Sequence, residues 1–201
     1  MDYLKSITLV SLALAAASCR HTPPESVDVV SGATIPHNQI VLPPTNSHYH
    51  VRGHFEGLNN YVVKYSDTFY RGGQVYLEDI AAESLQKCGI QTIVSITPDH
   101  AEVAFCASNG FALVEIPFDK SGPTPADYEL FFKTLENADG SFYVHCKSGT
   151  HRAGILSAAY RIHSEGWSLE RALVEYGRLG GDLKADHEMI QTLHATKIIS
   201  K

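Results

Sequence analysis

The sequence predicts an α/β domain, a mostly parallel sheet of four to five strands flanked by helices on both faces. Three observations carry that reading. Short β-branched runs alternate with longer segments at helical spacing. Glycine, proline and Asx residues punctuate the junctions. The composition, 44% hydrophobic and 19% charged over 201 residues, suits one packed core with extra chain at an end. Alternation of this kind implies parallel strands joined by crossover helices.

Asn60–Ser66 and Thr68–Arg71 read as a strand pair around the turn-prone Asp67, carried by Val62, Val63, Tyr65, Phe69 and Tyr70. Leu77–Cys88 follows as a helix with Ile80, Ala81, Leu85 and Cys88 on one face, stopped by Gly89. Ile90–Ile96 is an apolar strand ended by Pro98, and Asp99 opens a second helix that Asn109-Gly110 closes. Phe111–Ile116 is the next strand, with Pro117, Asp119, Gly122, Pro123 and Pro125 in the loop beyond it. Ala126–Glu136 is a helix with Tyr128, Leu130, Phe131 and Leu135 directed mostly inward. Asp139-Gly140 then turns the chain into the strand Ser141–His145. Helices at Arg152–Ser164, Leu169–Arg178 and Ala185–Ile199 complete the domain.

The amino-terminal part has a different character. Met1–Lys5 is a short polar start, and Ile7–Ala17 is a small, apolar run too short to span a bilayer as a mature helix. It fits the apolar core of an export signal. Its end, Ala16-Ala17-Ser18-Cys19, resembles the lipobox of bacterial lipoproteins, which implies lipidation at Cys19 and a membrane-anchored protein facing the periplasm or exterior. Ala16 stands where that pattern usually has Leu, and Asp2 weakens the positive start; a simple cleaved signal is the first alternative and a cytoplasmic protein with a chance apolar start the second. Residues 20–49, with Pro23-Pro24, Pro36 and Pro43-Pro44, read as a tether. The folded domain is expected over residues 50–201.

A net charge of −6 with no basic tract gives no support for nucleic-acid binding. Any anion site must be built locally. In open parallel sheets, ligands bind beyond the carboxyl ends of strands, which directs attention to the loop after His145. It reads His145-Cys146-Lys147-Ser148-Gly149-Thr150-His151-Arg152-Ala153-Gly154. Successive backbone N–H groups of a tight loop, followed by a helix N-terminus, make a cradle for an oxyanion. Arg152 offers a planar fork to two oxygens. The same field favours the thiolate of Cys146, the nucleophilic form of the side chain. Gly149 allows a loop conformation that a side chain would resist.

This stretch resembles the signature of the protein tyrosine phosphatase superfamily, His-Cys followed by five residues and Arg. Phe69-Tyr70-Arg71-Gly72-Gly73-Gln74 and Cys88-Gly89-Ile90-Gln91-Thr92-Ile93-Val94-Ser95-Ile96 are similar to its small dual-specificity branch. The resemblance spans about Tyr65 to Ile162 and implies a phosphatase-type, dual-specificity-like fold. It also implies hydrolysis of phosphomonoesters through a cysteinyl-phosphate, without metal or cofactor. Cys146 would be the nucleophile and Arg152 the phosphate-binding arginine. Lys147, Ser148, Gly149, Thr150, His151 and Ala153 would line the substrate site, and His145 would support the loop. The general acid would be an Asp on the loop after the preceding strand. Asp119 in Ile116-Pro117-Phe118-Asp119-Lys120 is the choice; Asp127 is the alternative, at a position suited to starting a helix. The substrate is a phosphorylated protein, a phosphoinositide or a small phosphate ester.

Lys147 and His151 add charge beside Arg152, either for a highly charged substrate or as a solvated rim. Ala153 departs from the family pattern: many members carry Ser or Thr there, whose hydroxyl helps the thiolate leave the phosphoenzyme. A catalytically weak or inactive phosphate-ester binding module is therefore the alternative reading. A sulfurtransferase of the rhodanese type is disfavoured by the Cys-to-Arg spacing. His48, His50 and His54 lack a carboxylate or cysteine partner at ligand spacing, so no metal site is expected there. Cys88 and Cys106 should lie together at the opposite end of the sheet, as buried thiols or as a disulfide.

Overall fold

A computed structural model describes residues 51–194. The expected signal (1–19, with Cys19), the tether (20–49), His48, His50 and the end of the last helix lie outside them. The order is β1 (Val51–His54), β2 (Tyr61–Lys64), β3 (Phe69–Gly72), α1 (Asp79–Lys87), β4 (Ile90–Ser95) and α2 (His100–Asn109). Then come β5 (Ala112–Glu115), α3 (Pro125–Asn137), β6 (Ser141–His145), α4 (Arg152–Glu165), α5 (Leu169–Arg178) and α6 (His187–Thr192).

The strands form one six-stranded sheet in the order β1-β2-β3-β6-β4-β5. β1, β2 and β3 are an antiparallel meander, while β3, β6, β4 and β5 run parallel. The α/β class is the expected one; β1, which was assigned to no strand, raises the count above four to five. The register pairs Gly72 and Ser95 with His145 on either side of β6. The carboxyl ends of the central strands therefore meet where the Cys146 loop begins.

Two apolar layers cover the sheet. On one face Val63, Phe69, Val94, Phe142 and Val144 pack against α3, α4 and α5. On the other, Val62, Tyr70, Ile90, Ile93 and Tyr143 pack against α1 and α2. Alternation along the strands assigns these residues to faces, and in β4 a register shift between Ile90 and Thr92 brings Ile90 to the face of Ile93. Tyr65, Phe69 and Phe142 form a ring stack with centroids 5.0 and 4.8 Å apart. α4 lies over the sheet centre with Ala153 through Ala159 buried, and small residues there let the helix approach closely.

The helix ends follow their sequence signals. The Asp99 carboxylate accepts from the Ala101 amide, and Gly110 closes α2 at φ 75°. Thr124 and Asp127 make a reciprocal capping box ahead of α3. Tyr128, Phe131 and Phe132 are that helix's buried face; Leu130, expected inward, is exposed because Phe132 takes the core position. Beyond α5, the described chain turns helical again only at His187, later than the expected Ala185. The Asp182 carboxylate accepts from the Lys184 and Ala185 amides and holds that stretch as a turn.

Candidate active site

The loop 146–151 joins β6 to α4 and is pressed against the end of β3. Gly149 has φ +75°, and a Cβ there would lie 2.3 Å from the Gly72 carbonyl carbon. Only glycine fits both the conformation and the approach. The loop is clamped from its rim: Asn59 Nδ2 donates to Lys147 O at 2.8 Å, Asn60 Nδ2 to Ser148 O at 3.1 Å and the Gln74 amide to Lys147 O at 3.2 Å. A trans peptide directs its carbonyl and amide oppositely. With these carbonyls bound, the amides of Ser148 and Gly149 point away from Asn59, Asn60 and Gln74.

Cys146 is buried at 1% exposure, at the carboxyl end of β6. Arg152 occupies the first turn of α4, and its Nη1 donates to Phe118 O at 3.3 Å. That bond brings the loop after β5 to the guanidinium. Arg152, Asp119, Thr97, Phe118, Ser121 and Asp127 line an open cleft of about 520 Å³. Cys146 itself is not part of that lining. Lys147 is exposed, whereas Ser148, Thr150 and His151 are half-buried at the loop's rim and Ala153 is fully buried. Ser148 and Thr150 hydroxyls lie 2.9 Å apart and hydrogen-bond each other.

The two candidate acids differ in environment. Asp127 is committed to the capping box, where its Oδ2 accepts from the Thr124 amide and hydroxyl at 2.8 and 2.7 Å. Asp119 projects into the cleft, and its Oδ1 accepts from the Ser121 hydroxyl at 2.6 Å and amide at 2.8 Å. These bonds hold its carboxyl below the usual carboxylate range, with a further contribution from the Arg152 charge.

Two buried networks support the loop. At its start, His145 Nε2 lies 2.7 Å from Glu102 Oε1, and Ser95 Oγ donates to Glu102 Oε2 at 2.7 Å. His145 is buried and hydrogen-bonded at the start of the loop. At the loop's end, His151 Nδ1 lies 2.6 Å from Asp186 Oδ2, which also accepts from Tyr176 Oη at 2.5 Å and the Asp182 amide at 3.1 Å. Glu102 and Asp186 carried no sequence signal. Each is a lone carboxylate far along the chain, and only the topology brings it to the loop.

Cys106 is a buried thiol, pushed up to about 12 by desolvation and the nearby Glu102. No disulfide joins it to the partly buried Cys88. Among the described residues no group of His, Cys, Asp or Glu is placed to hold a metal ion, and no helix is long and apolar enough to cross a membrane. The His54 side chain lies outside what is described.

A thiol and an arginine at the two ends of this loop, on this sheet, give the chain the architecture of the dual-specificity phosphatase class. Residues 49–192 match the family described as DSP-PTPase phosphatase fused to NAD+ kinase, and the chain belongs to that family. It is 30% identical over 117 residues to the dual specificity protein phosphatase TpbA of Pseudomonas aeruginosa, covering 57% of this chain and 52% of that protein. The chain thus spans about half the length of the curated relatives it matches. The crystal structure of P. aeruginosa TpbA superimposes with a TM-score of 0.63 at 21% identity, covering 77% of this chain and 96% of that one. A putative phosphatase from Shewanella putrefaciens gives a TM-score of 0.55 at 18% identity, covering 73% and 97%. These structural likenesses show the shared fold.

Proposed function

We propose that the protein hydrolyses phosphomonoesters through a cysteinyl-phosphate intermediate. The observation that carries this reading is the loop between Cys146 and Arg152, its carbonyls clamped by Asn59 and Asn60 and its glycine packed on β3. In this account Cys146 attacks phosphorus, and the S–P bond forms as the ester P–O bond breaks. The loop amides and Arg152 carry the charge of the equatorial oxygens. Asp119 gives its proton to the leaving oxygen, then takes one from the water that cleaves the S–P bond and returns the thiolate. Lys147, Ser148, Gly149, Thr150 and His151 form the substrate-facing rim, and His145 holds the loop's first residue in place.

The substrate class is a phosphate ester on a protein, a lipid or a small molecule. TpbA has been solved in complex with pTyr, and PTPMT1, which shares the fold at a TM-score of 0.52 and 16% identity, in complex with PI(5)P. We further place the protein at a bacterial membrane, exported and lipidated at Cys19. Ile7–Ala17 and Ala16-Ala17-Ser18-Cys19 support that placement.

A second reading, a phosphate-ester binding module with little turnover, is favoured by one observation. Ala153 is fully buried against the core and offers no hydroxyl to the departing thiolate. Aryl phosphate hydrolysis by the reduced full chain separates the two. The enzyme reading expects turnover that Cys146→Ser abolishes. Turnover that survives the substitution would remove Cys146 as the nucleophile.

A further inference from the structure

Arg71 has no role in the account above, and its surroundings are unusual for a charged group. It lies on β3, paired with Val144 of β6. Its side chain is therefore on the same face as those of Val144 and Cys146, two residues (about 6.6 Å) along the strand below the thiol. The residue is 1% exposed. Nη2 donates to Leu179 O at 3.0 Å, while Nε and Nη1 are buried with no hydrogen-bond partner. Nη1 lies 3.1 Å from where a Cβ on Gly154 would stand, in the first turn of α4. The guanidinium thus sits directly under the helix that carries Arg152.

A buried cation needs a counter-charge. The groups electrostatically linked to Arg71 are Tyr65 beyond β2 and Tyr176 on α5, and, from the opposite face of the sheet, Tyr143 on β6. Burial raises all three phenols, Tyr65 to about 12, so they are neutral at physiological pH. The nearby carboxylates serve other cations and donors. Glu175 pairs with Arg161 at 3.1 Å, and Asp186 accepts from Tyr176 and contacts His151. Glu102 is on the opposite side of β6, hydrogen-bonded to His145 and Ser95. Tyr176 is electrostatically linked to Cys146 as well as to Arg71, and the thiol and the guanidinium lie on the same face of the sheet.

We propose that Arg71 is a positioning residue whose buried charge is the counter-charge of the Cys146 thiolate, held one layer beneath the phosphate loop. Arg152 and Arg71 then divide the work: the first faces the cleft and substrate, the second holds the nucleophile ionised before substrate arrives. Gly154 leaves room for Arg71, because a side chain there would meet Nη1 and the Tyr176 ring, whose Cε2 would be 2.6 Å away. The proposal rests on the reading of Cys146 as the nucleophile.

Its test is the pH profile of iodoacetamide alkylation at Cys146, followed by peptide mass in the full reduced chain, with Cys146→Ser as the site control. Arg71→Met should move the alkylation midpoint upward by about one pH unit or more, as loss of a neighbouring opposite charge does. Arg71→Lys retains the charge and should hold the midpoint within about half a unit. An unchanged midpoint in a folded Arg71→Met, or equal rises in both variants, overturns the proposal. Should Arg71→Met fail to fold, Arg71→Lys decides: a full-unit rise there contradicts the charge role, and a held midpoint supports it. A wild-type chain that turns over no phosphate ester, yet shows the Arg71-dependent shift, would refute the proposed hydrolysis and leave this inference standing.

Discussion

A general acid must carry its proton when the leaving group departs, and Asp119 is held against doing so. The Ser121 hydroxyl and amide, and then the Arg152 charge, all favour its carboxylate. Its depressed pKa means that the protonated fraction in the free enzyme falls away at lower pH than for an ordinary Asp. A bound phosphate dianion works the other way, since a neighbouring negative charge raises a carboxyl's pKa. Removing the Ser121 hydroxyl takes away the largest stabilising contact to the carboxylate, so Asp119 should titrate higher. Ser121→Ala is therefore expected to shift the alkaline limb of kcat/KM for an aryl phosphate upward. Asp119→Asn should lose about 10²- to 10⁴-fold in kcat with an alkyl leaving group and abolish that limb. A limb unmoved by Ser121→Ala and retained in Asp119→Asn would assign the acid elsewhere. At this scale the sequence was informative where chemistry is local. Asp127, followed by an apolar run and preceded by Thr124, advertised a helix start, and the capping box is what it forms.

Among elements, the site depends on how β6 is tied to its neighbours. Glu102 on α2 reaches across to His145 at the end of β6 and to Ser95 at the end of β4, with all three side chains buried. Truncating the carboxylate would strand two interior polar groups. Glu102→Ala is expected to lower stability by about 1–3 kcal/mol, the range for leaving buried polar partners unsatisfied. The readout is a lowered denaturation midpoint at unchanged slope. A loss under about 0.5 kcal/mol would show that water replaces the carboxylate without cost. The ends of α2 were readable from Asp99 and Gly110, because caps act over a single turn. β1 was not: Val51–His54 alternates apolar and polar residues too briefly, and its identity comes from pairing with β2. His145 was legible as a support, but Glu102 was not, since a contact between residues 43 positions apart leaves no local pattern.

For the molecule as a whole, the sheet order does the work of assembly. β3, β4 and β5 run parallel to β6, so the loops after them converge on the same end, where Thr97 and Asp119 line the cleft with Arg152. That convergence was predictable from alternating strands and helices, together with the rule that sites lie at strand carboxyl ends. The buried charges were not predictable in the same way. Arg71 stood inside a recognisable motif without any sign that its side chain would be interior. Arg161, bound by Glu175 and Glu165 between Tyr65 and Trp167, gave no signal beyond helical spacing. Such groups are specified by what surrounds them in three dimensions. Ala153 is buried and offers no hydroxyl, which in the proposed mechanism bears on the second chemical step. The most direct measurement is therefore rapid-quench hydrolysis of an aryl phosphate by the reduced full chain, with intact-protein mass read at each time. The account predicts a burst of aryl alcohol stoichiometric with enzyme and a phosphate adduct on Cys146 that is absent from Cys146→Ser. It further predicts a slow steady phase that Ala153→Ser accelerates. No burst, no adduct and no turnover, alongside phosphate binding that still depends on Arg152, would contradict it and leave a binding module on a phosphatase fold.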